Sequence, residues 1–426
     1  MKIKKILKRL LQLHPKSIDL SLSRIKRLLK DLNNPEKKIK NPIQVVGTNG
    51  KYSFCSSLKK IFETAGYKVN MNISPSIRKF NERYYLAGKN ISDNELENLL
   101  LEVEEVNQGK SITFHEFICA CFFLAASRNN SDVNILESGL FFRLDASNVL
   151  EKNIASVIMP IGIDHKDFLN KGTINEIVYE KCSHLLNNSK IIIAEQNKDV
   201  LNLIKKNISK NTSNKTFFKK NYSFVKKNNF FVFNDKLGKI NLPLPSLLGD
   251  FQLSNISTAV ATARVLDQFN ISNAHIKKAI KKIEIEGRLQ NITRGKLREY
   301  VSKKNQIIVD GAHNPMAAYA IKKYIKTLDK NKKVFMVLGM MANKEHEKFI
   351  KILKSSVYSI TALDIPNQVN FIRKEKLKKI AQSLNIISNT ENSVKIALKK
   401  ISKQNNNAII ICTGSLYFVG EILNLN

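Results

Sequence analysis

Between the apolar run Ile43-Gln44-Val45-Val46 and a helical pattern lies the segment Gly47-Thr48-Asn49-Gly50-Lys51-Tyr52-Ser53. A strand, a glycine-bearing turn and a helix start together aim backbone N–H groups and a lysine at phosphate oxygens, which points to phosphoryl chemistry. Phe54, Leu58, Ile61 and Phe62 share one face of the helix that follows, and Gly66 closes it. The loop departs from the usual GxxxxGK-Ser/Thr form. Val45 stands where that pattern has its first glycine, and Tyr52 separates the lysine from Ser53. The competing reading is an ordinary tight turn whose lysine is solvated.

In open α/β sheets ligands sit beyond the carboxyl ends of the strands. By that rule Ser74, after Lys68–Ile73, and Glu137, after Val133–Leu136, join the Lys51 loop at one crevice, with Asp164-His165 one turn after Ser156–Ile161. A carboxylate, a hydroxyl and an imidazole beside a phosphate loop suit Mg²⁺, which keeps several waters and needs few protein ligands. Each has a plainer alternative: Ser74 starts a turn before Pro75, Glu137 lies on the surface, His165 caps a helix. Lys181 falls on the apolar face set by Ile174, Ile177, Val178, Cys182 and Leu185 of the helix expected over 174–186. Burial disfavours an ammonium, and a neutral amine can add CO₂ to become a carboxylate-like carbamate. The alternative is a lysine that snorkels to solvent.

The elements that must hold these residues read as α/β. Strand-like runs recur at Ile43–Val46, Lys68–Ile73, Val133–Leu136, Ser156–Ile161, Lys190–Ala194, Gln306–Val309, Val334–Leu338 and Ala408–Cys412, with helical patterns separating many of them. Residues 207–239, rich in Lys, Asn and Phe, read as a peripheral antiparallel hairpin, and a helix is expected over Leu253–Gln268. Gly295 and its charged neighbours suggest a linker, so the domains are expected at 1–292 and 293–426.

The 426 residues, 43% apolar and 25% charged, are those of a globular chain. Lysines dispersed along the whole length account for the formal charge of +34, with no nucleic-acid module beside them. Lys/Asn/Ile codon bias explains that charge, and its field would still attract small polyanions. No apolar run approaches the roughly 20 residues needed to cross a bilayer. Met1–Leu32 has an amphipathic helical pattern without a small-residue cleavage site, so no targeting peptide is expected. Five scattered cysteines without metal-type spacing suit reduced thiols in a cytoplasm.

In this order the segments closely resemble the folylpolyglutamate synthase/dihydrofolate synthase family of the Mur ligase superfamily. They are Ile18-Asp19-Leu20, the Gly47–Lys51 loop, Ser74-Pro75, Phe80–Arg83, Thr113–Glu116, Glu137 with Arg143–Val149, Ile161–His165, Glu180-Lys181, Gln252–Asn255, Gly287-Arg288, Asp310–Pro315, Leu338–Met340 and Gly414–Leu416. The resemblance implies a Mur-ligase-like P-loop central domain with a mostly parallel sheet and a smaller Rossmann-like α/β C-terminal domain. It implies an ATP-dependent ligase that joins L-glutamate to dihydropteroate or reduced folate through an acyl phosphate. By position, Thr48, Asn49, Gly50, Lys51, Tyr52, Ser53, Asn255, Arg288 and Asp310 would bind ATP. Ser74, Glu137, His165 and Lys181, the last as a carbamate, would hold magnesium, with Lys51, His165 and Lys181 catalytic. Thr113, Phe114, His115, Glu116, Leu144, Asp145 and Ala146 would line the acceptor pocket, and His313 and Ser415 the glutamate side. Two Mg²⁺ ions are expected, with a monovalent cation as an optional addition. A cytoplasmic monomer whose partners are small molecules, without nucleic acid or membrane, is the family-level expectation.

The departures are Tyr52 for a glycine, Ser76 for the histidine of Ser-Pro-His, Phe141-Phe142 for a Gly-Gly pair, and His115 for an aromatic. Phenylalanine does not reach the backbone torsions glycine permits, so that loop is expected to differ or to be strained. Two other readings remain: another Mur-type amino-acid ligase, or a paralogue that binds without turnover.

Overall fold

The computed structural model describes residues 2–16 and 19–426, so Ile18 of the family-like segments lies outside the described residues. The chain forms two compact units. The first takes Met1–Gly162, Thr173–Pro245 and Ser254–Ile283; the second takes Ile163–Gly172, Ser246–Leu253 and Glu284–Asn426. A single boundary at 292/293 was read from the sequence, whereas the units alternate along the chain. The excursions belong to the second unit through contacts within it: Lys166 pairs with Glu345, and Leu248 and Phe251 pack against that unit's core.

The first unit is built on an eight-stranded sheet of β1 (Pro42–Val46), β2 (Val69–Asn72), β3 (Tyr84–Leu86), β4 (Lys89–Asn90), β5 (Val133–Glu137), β6 (Ala155–Ile158), β7 (Lys190–Ile193) and β8 (Asn214–Phe217). Their order is β4-β3-β2-β5-β1-β6-β7-β8, parallel except at β3 and β4. β1 and β5 are buried along their whole length, Gln44, Asn134 and Glu137 included, as central strands of a parallel sheet covered on both faces are. The register places Val45 beside Glu137 and Asn72 beside Leu136, so the loops leaving β1, β2 and β5 emerge on one sheet edge.

One core of this unit joins the helices Lys2–Leu10, Ser23–Asp31, Asp93–Asn107 and Phe114–Ser127. The amphipathic N-terminus is thus two helices, the first burying Ile6 and Leu10.

The expected hairpin divides differently. β8 pairs parallel with β7, while β9 (Tyr222–Lys226), β10 (Phe230–Asp235) and β11 (Gly238–Pro243) form a three-stranded antiparallel sheet. Two turns, one closed by Lys227 N to Phe230 O and one at Gly238, make three strands where one turn would make two.

In the second unit β12 (Gln290–Asn291), β13 (Gln306–Asp310), β14 (Val334–Leu338), β15 (Ser359–Ala362), β16 (Ile387–Thr390) and β17 (Ile409–Thr413) lie in the order β12-β13-β17-β14-β15-β16. All neighbours are parallel except β12 with β13. Among the described residues no helix is long and apolar enough to cross a membrane. All five cysteines are free and buried.

Candidate active site

β1 ends at Val46 and the helix Lys51–Thr64 starts after Gly50. Gly50 is left-handed at φ +83°, and a Cβ there would lie 2.5 Å from Asn255 Oδ1. Torsion and close approach both require glycine, and they bring two of the expected nucleotide residues together. The first bond inside the helix runs from Phe54 N to Gly50 O, so its opening turn carries the N–H groups and partial positive charge of a helix N-terminus. Thr48 N and Asn49 N donate to Pro160 O at 2.9 and 3.2 Å. Thr48 Oγ1 donates to Gly162 O and accepts from Gly162 N, both at 3.0 Å. The loop is therefore fastened to the segment after β6. Tyr52 is half-buried and Ser53 buried in the helix's first turn.

Lys51 Nζ donates to Gly47 O at 3.2 Å and stands 3.8 Å from Glu137 Oε1. Glu137 ends β5, and its other oxygen accepts from Ser74 N at 3.3 Å. Ser74 Oγ in turn accepts from Arg83 at 3.3 Å. Lys181, on the helix Ile174–Cys182, donates to Gly47 O at 3.0 Å and to Leu140 O at 2.8 Å, with Nζ 5.4 Å from the Phe141 ring centre. Glu137 and Lys181 are 5% and 3% exposed, which excludes the surface and snorkelling readings. Lys51, Ser74, Glu137 and Lys181 thus gather around one loop; His165 belongs to the second unit.

Among the described residues no group of three or more His, Cys, Asp or Glu side chains is placed to hold a metal. The Glu137 carboxylate and Ser74 hydroxyl beside a phosphate loop still fit magnesium, whose remaining ligands are waters and phosphate oxygens.

The helix Phe114–Ser127 opens with a reciprocal cap: Glu116 N donates to Thr113 Oγ1 at 3.3 Å, and Thr113 N to Glu116 Oε2 at 2.8 Å. Arg24 adds two bonds to the Glu116 carboxylate, at 2.9 and 3.0 Å. Thr113 and Glu116, expected in the acceptor pocket, are therefore occupied in holding the helix start. Arg24 was not foreseen, because one more cation on a basic segment carries no signal. Phe114 packs edge-on to Phe80. His115 keeps its side chain 26% exposed, with Nε2 3.4 Å from Asp145 Oδ2.

Asp145 organises the adjoining loop. It accepts from Gly139 N at 3.0 Å, Leu140 N at 3.4 Å, Ser147 N at 2.9 Å and Ser147 Oγ at 2.6 Å. Burial alone would raise its pKa, but the His115 and Ser147 contacts outweigh burial and hold it at about 2. Leu144 is half-buried and Ala146 buried.

Asp164 is the hub of the second unit. It receives Lys344 Nζ at 2.7 Å, Asn314 Nδ2 at 3.0 Å and His165 N at 2.9 Å. His313 Nε2 and His165 Nε2 stand 3.5 and 3.8 Å from its Oδ2. Burial opposes the charge, yet these partners hold the carboxyl far below the usual range. His313 Nδ1 donates to Gly311 O at 2.7 Å. Asp310, at the end of β13, accepts from Leu289 N and Ala312 N, both at 2.8 Å, and so shapes the turn after Arg288. Burial pushes the Asp310 carboxyl up, against Arg288 and those two N–H groups. Ser415 caps the helix Leu416–Asn424, its Oγ accepting from Tyr417 N at 3.2 Å. Lys344 was missed, although the strand-end rule applied after β14 points to its loop.

Residues 293–425 match the family model described as dihydrofolate synthetase, C-terminal domain. A dihydrofolate synthase/folylpolyglutamate synthase of Buchnera aphidicola from Acyrthosiphon pisum is 31% identical over 89% of this chain and 88% of its own. The chain belongs to the dihydrofolate synthase/folylpolyglutamate synthase family. Escherichia coli FolC in complex with DHPP and ADP superposes with a TM-score of 0.88, at 25% identity over 99% of this chain and 97% of its own. The Yersinia pestis bifunctional enzyme complexed with AMPPNP and Mn shares the fold, with a TM-score of 0.86 and 23% identity over 99% and 97% of the two chains.

Against that family the Phe141-Phe142 departure is accommodated without strain. Neither residue is among those with positive φ, and both rings are buried. The loop is held from its far side instead: Phe142 N and Arg143 N donate to Glu180 O at 3.1 and 2.8 Å, and the Arg143 guanidinium grips the Glu180 carboxylate. Each ring removed from water contributes roughly 1.5–3 kcal/mol.

Proposed function

We propose that this protein joins L-glutamate to dihydropteroate, to reduced folates, or to both, at the cost of ATP. A carboxylate is a poor electrophile. Transfer of the γ-phosphoryl group to an acceptor carboxylate oxygen leaves ADP and gives an acyl phosphate with a good leaving group. The unprotonated amine of glutamate then attacks the acyl carbon, forming the C–N bond. Collapse of the tetrahedral intermediate breaks the C–O bond and releases inorganic phosphate.

The observation that carries this reading is the Lys51 loop: a helix N-terminus after β1 with Lys51 Nζ on Gly47 O and 3.8 Å from Glu137. There the Lys51 ammonium offsets charge on the transferred phosphoryl oxygens. In the first unit Gly50–Ser53 and Asn255 are assigned to ATP, with Thr48 and Asn49 shaping the loop. Ser74, Glu137 and Lys181 are assigned to magnesium, which when bound neutralises phosphate charge. Phe114, His115 and Leu144–Ala146 are assigned to the acceptor. In the second unit His165 is assigned to the metal, Arg288 and Asp310 to the nucleotide, and His313 to glutamate, with Ser415 holding the start of the helix Leu416–Asn424. A cytoplasmic monomer completes the reading.

Lys181 is assigned as a carbamate: its neutral amine bonds to the carbon of CO₂ and loses a proton. One N–H remains, enough for one of the two carbonyls that it now reaches. Labelling with ¹³C-bicarbonate should give a carbamate resonance that Lys181→Ala lacks; equal spectra would remove this assignment.

Phosphate release from ATP, Mg²⁺ and glutamate, measured with dihydropteroate, reduced folates or a UDP-muramyl peptide as acceptor, tests the function. Release with a pterin acceptor only is expected. Release with the muramyl peptide instead would transfer the chain to another amino-acid ligase.

A further inference from the structure

A tyrosine outside every segment considered so far is tied to Asn255, the side chain seated on the Lys51 loop. Tyr222 opens β9 and is buried. Its hydroxyl donates to the carbonyl of Ile193, the last residue of β7, at 3.1 Å and lies 3.1 Å from Thr258 Oγ1. Burial pushes the phenol up, so it keeps the hydrogen it donates. Thr258 stands on the helix Phe251–Val265, whose residues from Ser254 onward belong to the first unit. Its Oγ1 donates to Ser254 O at 2.9 Å. Asn255 precedes Thr258 by about one turn, so the two are neighbours on the helix surface. Asn255 Oδ1 lies against Gly50, 2.5 Å from where a Cβ would stand.

These contacts close a ring. β6 lies between β1 and β7 in one parallel sheet, and the carboxyl ends of all three strands share an edge. The Lys51 loop leaves the end of β1, and the Tyr222 hydroxyl is fixed on the end of β7. The helical turn that carries Asn255 is thus referenced to the same sheet as the loop it touches. The far end of the helix is clamped separately. Arg264 donates to both oxygens of Asp235 at 2.7 and 2.9 Å and to Asn273 Oδ1 at 2.8 Å, in a pair whose side chains are both buried. A helix held at Arg264 and released at Thr258 pivots, and the pivot displaces Asn255.

We infer that Tyr222 is a positioning residue for the nucleotide: its hydroxyl, held on Ile193 O, fixes the helix at Thr258 and so holds the Asn255 amide against Gly50, where it meets bound ATP. This rests on the assignment of ATP to the Lys51 loop and Asn255 made above. Tyr222→Phe is a clean probe because it strands no polar group. Ile193 O keeps Phe218 N at 3.0 Å, and Thr258 Oγ1 keeps Ser254 O. A restraint the size of one neutral hydrogen bond corresponds to about a fivefold change in affinity. Tyr222→Phe should therefore raise the KM for ATP about fivefold, leave the KM for the acceptor within about twofold, and leave the urea midpoint nearly unchanged. Thr258→Val should raise the ATP constant similarly and add nothing to Tyr222→Phe, and Tyr222→Phe should add nothing in an Asn255→Ala background. An unchanged ATP constant, ATP and acceptor constants rising together, or a full additional effect in the Asn255→Ala background overturns the inference. Calorimetric titration with Mg²⁺–ATP separates it from the ligase function. Wild-type binding that weakens about fivefold in Tyr222→Phe supports the positioning role even where no acceptor releases phosphate, a result that counts against the ligase function alone. Equal binding by both proteins with phosphate released removes the Tyr222 role alone, and no binding by either removes both.

Discussion

The two units treat a lysine–carboxylate pair in opposite ways. In the first, Lys51 and Glu137 stand 3.8 Å apart, each tied elsewhere, to Gly47 O and Ser74 N. In the second, Lys344 and Asp164 touch at 2.7 Å, with Asn314 and both histidines closing on the same carboxylate. A pair at hydrogen-bond length, buried and multiply bonded, holds its surroundings in place. A pair held slightly apart by its own anchors can reorganise when an anion or cation arrives. The first arrangement suits binding and chemistry; the second suits fixing a loop.

Breaking the looser pair should cost activity. Lys51→Ala is expected to lower phosphate release about a thousandfold or more, roughly 4 kcal/mol of transition-state stabilisation, with a nearly unchanged urea midpoint. A large stability loss with activity spared would reverse the comparison.

Breaking the tight pair should cost stability first. Asp164→Ala leaves Lys344 buried without its carboxylate, and denaturant unfolding should show a loss of about 3 kcal/mol. An unchanged unfolding curve would show that this hub is not holding the second unit.

Asp145 sharpens the contrast because it lies in the first unit yet is bonded like Asp164. Its folded pKa of about 2 lies below the unfolded value, so its contribution is present above about pH 3.9 and is lost as pH falls through the folded value. The His115 pKa is raised, so its share is complete below about pH 6.5 and fades as pH rises through the folded value. Asp145→Asn should remove about 2 kcal/mol at pH 5 and flatten the acid limb of stability against pH. An acid limb identical to that of the wild type would contradict the pairing.

The smallest effect belongs to Ser415. As a helix cap, Ser415→Ala should cost about 1 kcal/mol and leave the glutamate KM unchanged. A glutamate KM raised about tenfold would instead make it a ligand contact.

Many of the parallel strands were legible as largely apolar runs between turn residues, β1, β5 and β14 among them, whereas β8, β15 and β16 carry too few apolar residues to stand out and were not foreseen. The Lys51 loop was legible for the same local reason, a strand, a glycine and a helix start in fifteen residues or so. The capping role of Thr113 and Glu116 follows a local S/T-x-x-E rule and could have been read from spacing, although their position in a family-like segment suggested a pocket. Arg24 on Glu116, Lys344 on Asp164 and Glu180 O under Phe142 could not, since each joins residues far apart in sequence.

Residue order alone determined many of the strands and helices, where the Lys51 loop begins, and that Lys181 lies on an apolar helical face, because these depend on side chains a few positions apart. Only tertiary structure decided which polar groups remain available. Thr48 N turned to Pro160, Asp145 filled its acceptor positions, and His115 kept one nitrogen uncommitted, because hydrogen-bond capacity is finite and long-range neighbours determine how it is divided.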